Sequence, residues 1–242
     1  MDVWSITHRG AVREQNQDAC RYHMLGNGSV LALVCDGMGG ARSGDIASTM
    51  AVESFFEEYF SSAPNWEETE QQRLERAATF ANARVFHRAQ NDINCTGMGT
   101  TLVVVLASQT KALILNEGDS RAYHLRSPQE ITQVTRDHSL VEDLISQGGI
   151  TPEEAEHYPL RNVITRALGA ELDLKTDCFY QDILPGDFLL LCSDGLSNLV
   201  SKEEMAYQVY YGGEIEDCCK RLLQMALDRG APDNVTVALI TC

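Results

Sequence analysis

Uninterrupted apolar runs, rather than strict alternation, mark the β-rich parts of this chain: Val3–Thr7, Val30–Cys35, Thr101–Ala107, Ala112–Asn116, Ala122–Leu125, Phe188–Cys192 and Val235–Ile240. Such continuity predicts strands covered on both faces. Between the second and third runs lie two long helical patterns. Gly44–Phe60 follows Ser43, a suitable N-cap, and places Ile46, Met50, Phe55 and Tyr59 at near-helical spacing. Glu67–Gln90 is rich in Ala, Arg, Glu and Gln, all good helix formers. Towards the C-terminus Lys202–Tyr210 and Ile215–Arg229 form a second helical pair. Neighbouring strands and paired helices predict an α+β plan, with sheets packed on one another and helices outside. No repeat, low-complexity linker or Pro/Gly-rich boundary divides residues 1–242, so one domain is expected. The segment Asp137–Gly169 stands apart. It holds Gly148-Gly149, Pro152, Pro159, a short acidic helix (Glu153–Glu156), His138 and His157, and reads as a partly helical flap.

Composition narrows the function classes. With 44% hydrophobic and 22% charged residues the chain is ordinary globular material. Its formal charge of −16 and pI near 4.7 repel nucleic acid and anionic lipid, which argues against partners of either kind. The eight cysteines are scattered without a C-x-x-C pair, and Cys35 and Cys192 end apolar runs as small buried hydrophobes would. That usage fits a reducing compartment. Met1-Asp2-Val3-Trp4 opens no leader-like pattern, and no apolar run approaches the roughly 18 residues of a membrane helix. A cytoplasmic protein is expected.

Four aspartates share one local setting. Asp36 follows Val30–Cys35 and precedes Gly37-Met38-Gly39-Gly40. Asp194 follows Phe188–Ser193 and precedes Gly195. Asp119 follows Ala112–Gly118, and Asp233 stands just ahead of the last strand, after Gly230-Ala231-Pro232. One strand-end Asp is ordinarily a turn residue or a helix cap. Four of them gathered at a buried sheet edge would repel and take up protons unless cations neutralised them. Oxygen ligands without His or Cys suit Mg²⁺ or Mn²⁺ rather than zinc. The Gly37 carbonyl could add a ligand, since glycine lets the backbone approach an ion. Asp18 lies in Arg13-Glu14-Gln15-Asn16-Gln17-Asp18, where an arginine at that spacing could hold an anionic oxygen bidentately.

Six segments carry a family resemblance: Gly10–Asp18, Val34–Gly40, Gly97–Thr101, Asn116–Tyr123, Cys192–Leu196 and Pro232–Thr236. In this order they match the motif set of the metal-dependent PPM/PP2C protein phosphatases, and the chain resembles in particular the compact bacterial members. The resemblance covers nearly the whole sequence. It implies a four-layer β-sandwich of two antiparallel sheets flanked by helix pairs. It also implies a serine/threonine phosphatase in which a water bridging two Mn²⁺ or Mg²⁺ ions attacks phosphorus directly. By that likeness Asp36 bridges the ions, Asp194 and Asp233 complete one site, and the Gly37 carbonyl helps the other. Asp18 acts mainly through water, Asp119 with Asp194 holds a weaker third ion, and Arg13 binds the substrate phosphate. Residues 137–169 correspond to the family's variable flap. The implied partners are phosphoserine and phosphothreonine proteins, with a cognate serine/threonine kinase as counterpart.

Two positions depart from common versions of the family. Gln17 stands where many members have Glu. Met38 stands where animal members have a histidine proposed as general acid, which leaves His138 in the flap as a substitute candidate. The alternatives from other classes are a catalytically weak regulatory module, which would ordinarily have lost metal aspartates, and a calcium protein, whose contiguous EF-hand loop is missing.

Overall fold

The computed structural model describes residues 1–39, 43–61 and 68–242. Gly40 of the Gly37–Gly40 run and Glu67, the expected start of the second helix, lie outside the described residues. In chain order the elements are β1 (Val3–His8), β2 (Asp18–Met24), β3 (Val30–Met38), α1 (Gly44–Ser61), α2 (Glu70–Asn91), β4 (Gly99–Thr100), β5 (Leu102–Ala107), β6 (Lys111–Glu117), β7 (Arg121–Ser127) and β8 (Glu130–Gln133). Then follow α3 (Leu140–Ser146), α4 (Pro152–Glu156), β9 (Asp177–Asp182), β10 (Phe188–Cys192), α5 (Asp194–Ser197), α6 (Lys202–Tyr211), α7 (Ile215–Asp228) and β11 (Val235–Thr241). One antiparallel sheet runs β1-β11-β10-β7-β8 and the other β2-β3-β5-β6-β9, with the short β4 on β3.

The continuous apolar runs have a direct cause. On β3, Leu31, Leu33 and Cys35 pack against α1 and α2, while Val30, Ala32 and Val34 face the opposing sheet. On β5, Leu102, Val104 and Leu106 face the helices, and Val103, Val105 and Ala107 face inward. The second sheet repeats the scheme. Leu190, Val237 and Leu239 meet α6 and α7, whereas Leu189, Leu191, Ala238 and Ile240 fill the space between the sheets. Two apolar environments per strand leave no polar face, so period-two alternation vanishes. Each fully buried Val or Leu contributes about 1.5–3 kcal/mol, enough to fix strand register, because a one-residue slip exchanges the two faces throughout. The result is the expected four layers of helices, sheet, sheet and helices.

Reciprocal capping boxes start the helices where the sequence favours them. Thr69 and Gln72 open α2, and Ser201 and Glu204 open α6. Ser43 stands ahead of α1 with its carbonyl accepting from Ala47, but its hydroxyl donates to the Gly39 carbonyl at 2.6 Å. That bond ties the helix start to the end of β3.

Besides the two-residue β4, three strands, β2, β8 and β9, have no counterpart among the apolar runs. All lie at sheet edges, and their mixed exposure explains their polar composition. The flap contains α4 close to its expected position and also α3, capped by Ser139. Two bridges, Ser139↔Ile164 and Thr100↔Leu168, tie its limbs down.

Candidate active site

Where the inward alternation of the sandwich reaches one end, its residues change from apolar to charged. Val30, Ala32 and Val34 face the other sheet, and Asp36 continues that face. Asp18 pairs with Asp36 in the β2–β3 register and therefore points the same way. From the opposing sheet, Leu189 and Leu191 lead to Ser193, and Ile240 and Ala238 lead back to Thr236. These four polar positions meet. Ser193 Oγ and Thr236 Oγ1 both donate to Asp18 Oδ2, at 2.7 and 2.6 Å, so the carboxylate of one sheet is held by hydroxyls of the other.

The neighbouring loops bring in the remaining aspartates. Asp194 begins α5 directly after β10, and Asn198 Nδ2 donates to its Oδ2 at 3.1 Å. Gly195 lies against the backbone beside Asp233: a Cβ there would fall 1.9 Å from the Asn234 carbonyl oxygen. Asn234 is itself a clamp. Its amide donates to the carbonyls of Arg9 and Gln15, both at 2.9 Å, and its Oδ1 accepts from the Gln17 N–H at 2.8 Å. It thus fixes the loop that carries Arg13. The Asp36 backbone is held by Thr101 Oγ1 and Thr100 Oγ1, at 2.8 and 2.9 Å. A Cβ on Gly37 would lie 2.0 Å from the Gly44 carbonyl oxygen, so only glycine lets β3 pass the start of α1 there.

Asp36, Asp119, Asp194 and Asp233 line one cavity of about 700 Å³ together with Arg13, Gly37 and Met38. Asp18 lies behind Asp36, 7% exposed. Asn162 and Ile164 bring the flap to the same cavity. Arg13 Nη2 donates to Asp233 Oδ2 at 2.7 Å across the half-exposed rim. All the positions singled out in the sequence therefore converge, except His138.

His138 is buried and absent from the cavity wall. Its Nδ1 accepts the Gly118 N–H at 3.0 Å, and its carbonyl accepts from Thr165. Burial, then the Arg166 charge, pushes its pKa down. A neutral imidazole bonded this way is a structural pin, so the general-acid candidacy of His138 is corrected. Nor is Asp119 neutralised by Arg121, which instead makes a bidentate contact with Asp137.

Electrostatically the site is carboxylate against carboxylate. Burial raises Asp18 to about 7 in spite of its two hydroxyl donors, and Asp194 and Asp233 add to the rise. Burial, then Asp194 and Asp137, likewise brings Asp119 to about 7. Asp36 is driven well above the usual range by burial and then by Asp18, Asp194 and Asp119. Asp194 is raised by burial and then by Asp233, against the pull of a hydrogen bond shared with Asp36. Oxygens Oδ1 of Asp18, Asp119 and Asp194 are buried with no protein partner. Unpartnered carboxylate oxygens inside a protein are costly, and a divalent cation satisfies them. Among the described residues no three His, Cys, Asp or Glu side chains already close on a single point. The aspartates ring the cavity instead, which suits hard cations whose shells water completes. The donor set fits Mn²⁺ or Mg²⁺.

Comparison with known proteins decides the lineage. The sequence profile of the family described as protein phosphatase 2C matches residues 7–234. The chain belongs to the protein phosphatase 2C family. It is 35% identical to the serine/threonine phosphatase stp of Listeria monocytogenes, over 97% of this chain and 93% of that protein. With protein phosphatase PhpP of Streptococcus pneumoniae the identity is 34%, covering 100% and 97%. The solved serine/threonine phosphatase Stp1 of Staphylococcus aureus superposes with a TM-score of 0.92 at 34% identity, over 100% of this chain and 94% of the other. A PP2C-family catalytic domain, that of PstP, has been solved in complex with 2 manganese ions; it superposes at a TM-score of 0.84 with 32% identity, covering 98% and 96%.

The PP2C motifs also contain residues whose work the sequence reading left unassigned: Ser193, Asn234 and Thr236. For Ser193 and Thr236 the signal is parity. Ser193 and Thr236 occupy the next inward positions of β10 and β11, where a hydroxyl in place of an aliphatic side chain needs a polar partner.

Proposed function

We propose that this cavity hydrolyses phosphate esters of phosphoserine and phosphothreonine in proteins, with water as the nucleophile. The chain is a PP2C-type protein serine/threonine phosphatase, and its activity depends on metal. The observation that carries this reading is the ring of aspartates with orphaned buried oxygens around one cavity that has Arg13 at its rim.

Asp36, Asp194 and Asp233 would hold two core cations with the Gly37 carbonyl, Asp18 would act through water, and Asp119 with Asp194 would take a weaker third ion. Bound Mn²⁺ or Mg²⁺ supplies positive charge for the phosphate oxygens and lowers the proton affinity of water. Among the described residues the cavity wall has no Cys, His, Ser or Thr. The cysteines nearest the aspartates, Cys35 and Cys192, are buried and their thiols are pushed up, Cys192 to about 12. A covalent intermediate on sulfur, imidazole or hydroxyl is therefore not called for. Arg13, half-exposed and free to turn from Asp233 into the cavity, binds the non-bridging phosphate oxygens through its planar fork. Met38 in the wall has no proton to give, so water protonates the leaving alkoxide.

We place the enzyme in the cytoplasm, opposite a serine/threonine kinase of the same cell, with residues 1–242 as one catalytic domain. All eight cysteines are free thiols, and no helix among the described residues is long and apolar enough to cross a membrane. The test of the ligand set is calorimetric titration of chelator-stripped protein with Mn²⁺. Two tight sites and one weaker site are expected, with only the weaker one lost in Asp119→Asn. Unchanged titration in both Asp119→Asn and Asp36→Asn would remove these residues from the ligand set.

A further inference from the structure

Glu117 ends β6 after five buried residues, Ala112–Asn116, and is itself 4% exposed. An aliphatic side chain at this position would spare the fold the cost of burying a carboxylate, and Arg166, 32% exposed, would not be left uncompensated, since it keeps Asp177 and the Lys175 carbonyl. Fold stability therefore does not account for the carboxylate. Its contacts point elsewhere. Arg166 Nη2 donates to Glu117 Oε2 at 2.9 Å, and Arg166 Nη1 donates to Asp177 Oδ1 at 3.0 Å on the edge strand β9. The same guanidinium bonds the Lys175 carbonyl. Arg166 closes the returning limb of the flap, two residues beyond Ile164 and four beyond Asn162, the flap residues in the cavity wall. His138, at the outgoing limb, faces Glu117 and Asp177 at 3.9 and 3.4 Å while bonding Gly118.

We propose that Glu117 is a positioning residue for substrate binding: through Arg166 it locks the returning limb of the flap to the end of β6, and so sets where Asn162 and Ile164 stand above the cavity. The limb's other ties are its backbone bridges, the Thr165 N–H on the His138 carbonyl, the Gly169 N–H on Asn82 Oδ1, and the contacts of Arg166 with Asp177 and the Lys175 carbonyl, none of them made by β6. A phosphopeptide lying across the cavity meets that limb, whereas a small aryl phosphate reaches only the aspartates and Arg13. This inference rests on the proposed function above.

The experiment compares Glu117→Leu and Glu117→Gln with the wild type, all loaded with Mn²⁺. For Glu117→Leu we expect an unchanged or higher Tm, a KM for a phosphothreonine peptide raised about fivefold or more with kcat within about twofold, and faster tryptic cleavage after Arg161 and Arg166. Glu117→Gln keeps an oxygen towards Arg166 and should hold KM within about twofold of wild type. Wild-type KM and cleavage rate in Glu117→Leu would overturn the proposal. So would a Gln variant no better than Leu, with kcat and KM both changed in line with a lowered Tm, since that is the mark of packing alone. A wild-type enzyme inactive on both the peptide and p-nitrophenyl phosphate would instead sink the phosphatase reading, a separate failure.

Discussion

Asp18 joins the two sheets at the cavity, because its Oδ2 takes hydroxyl protons from Ser193 and Thr236 while its Oδ1 is left without a protein partner. One oxygen is fixed by the fold and the other is free for a water or an ion. Asp36 and Asp194 were legible in the sequence because each follows an apolar run, and a charge in that place is dear unless something uses it. Ser193, Asn234 and Thr236 were not assigned, because small polar residues near turns have many ordinary uses. Arg13 was legible only through its motif, and its contact with Asp233 could not be foreseen from 220 positions away. Replacing Arg13 with Ala should raise KM for a phosphopeptide about tenfold with little change in kcat, since a half-exposed charge-assisted contact is worth about 1.5 kcal/mol. Steady-state kinetics on one peptide decides it. A large fall in kcat at constant KM would move Arg13 from phosphate binding to transition-state stabilisation.

Most secondary-structure elements were legible in proportion to how deeply they are buried, although edge strand β1, without a buried residue, was legible as the run Val3–Thr7. The inner strands β3, β5, β6, β10 and β11 were found as apolar runs, and α1, α6 and α7 within a residue or so at each end. Edge strands β2, β8 and β9 were missed because one face is wet and the apolar run is broken. Helix α3 was missed too; it is a short turn of the flap without a single buried residue. The pairing of Asp18 with Asp36 depends on β2, so that geometry lay beyond the sequence. Packing between elements also sets the distance from Asp194 to Asp233. Because a Cβ on Gly195 would meet the Asn234 carbonyl oxygen at 1.9 Å, Gly195→Ala should force α5 away from the start of β11. Turnover should fall about 100-fold, the scale expected for an ångström-level misplacement, while the far-UV circular dichroism spectrum is kept. Normal turnover would mean that the two loops act independently.

At the scale of the whole molecule the site puts function and stability in opposition. Asp18 and Asp119 titrate near 7 in the folded protein, and Asp36 and Asp194 are raised as well, against about 3.8 when unfolded. Between those values the folded state binds more protons than the unfolded state. The contribution of these groups is therefore full below about 4 and lost as pH rises through about 7. Protein held in chelator should melt at a lower temperature at pH 8 than at pH 5.5. Added Mn²⁺, which must displace those protons, should raise Tm more at pH 8 than at pH 5.5. A chelated protein whose Tm rises over that interval would show that the carboxylates are not crowded as described. The −16 charge is hostile to nucleic acid and anionic lipid and makes cations the natural means of reversing the sign of the field in the cavity. The layered architecture was legible from paired helices around two-faced strands, and the gathering of the strand-end aspartates from their shared setting, whereas the hydroxyl bonds of Ser193 and Thr236 that join the two sheets at Asp18 were not. The most direct test of the account is hydrolysis of a phosphothreonine peptide by one protein sample, first in excess EDTA and then after Mn²⁺ is restored. The account predicts no turnover above buffer in EDTA and full recovery with Mn²⁺; undiminished turnover in EDTA, or none with Mn²⁺ from folded protein, would contradict it.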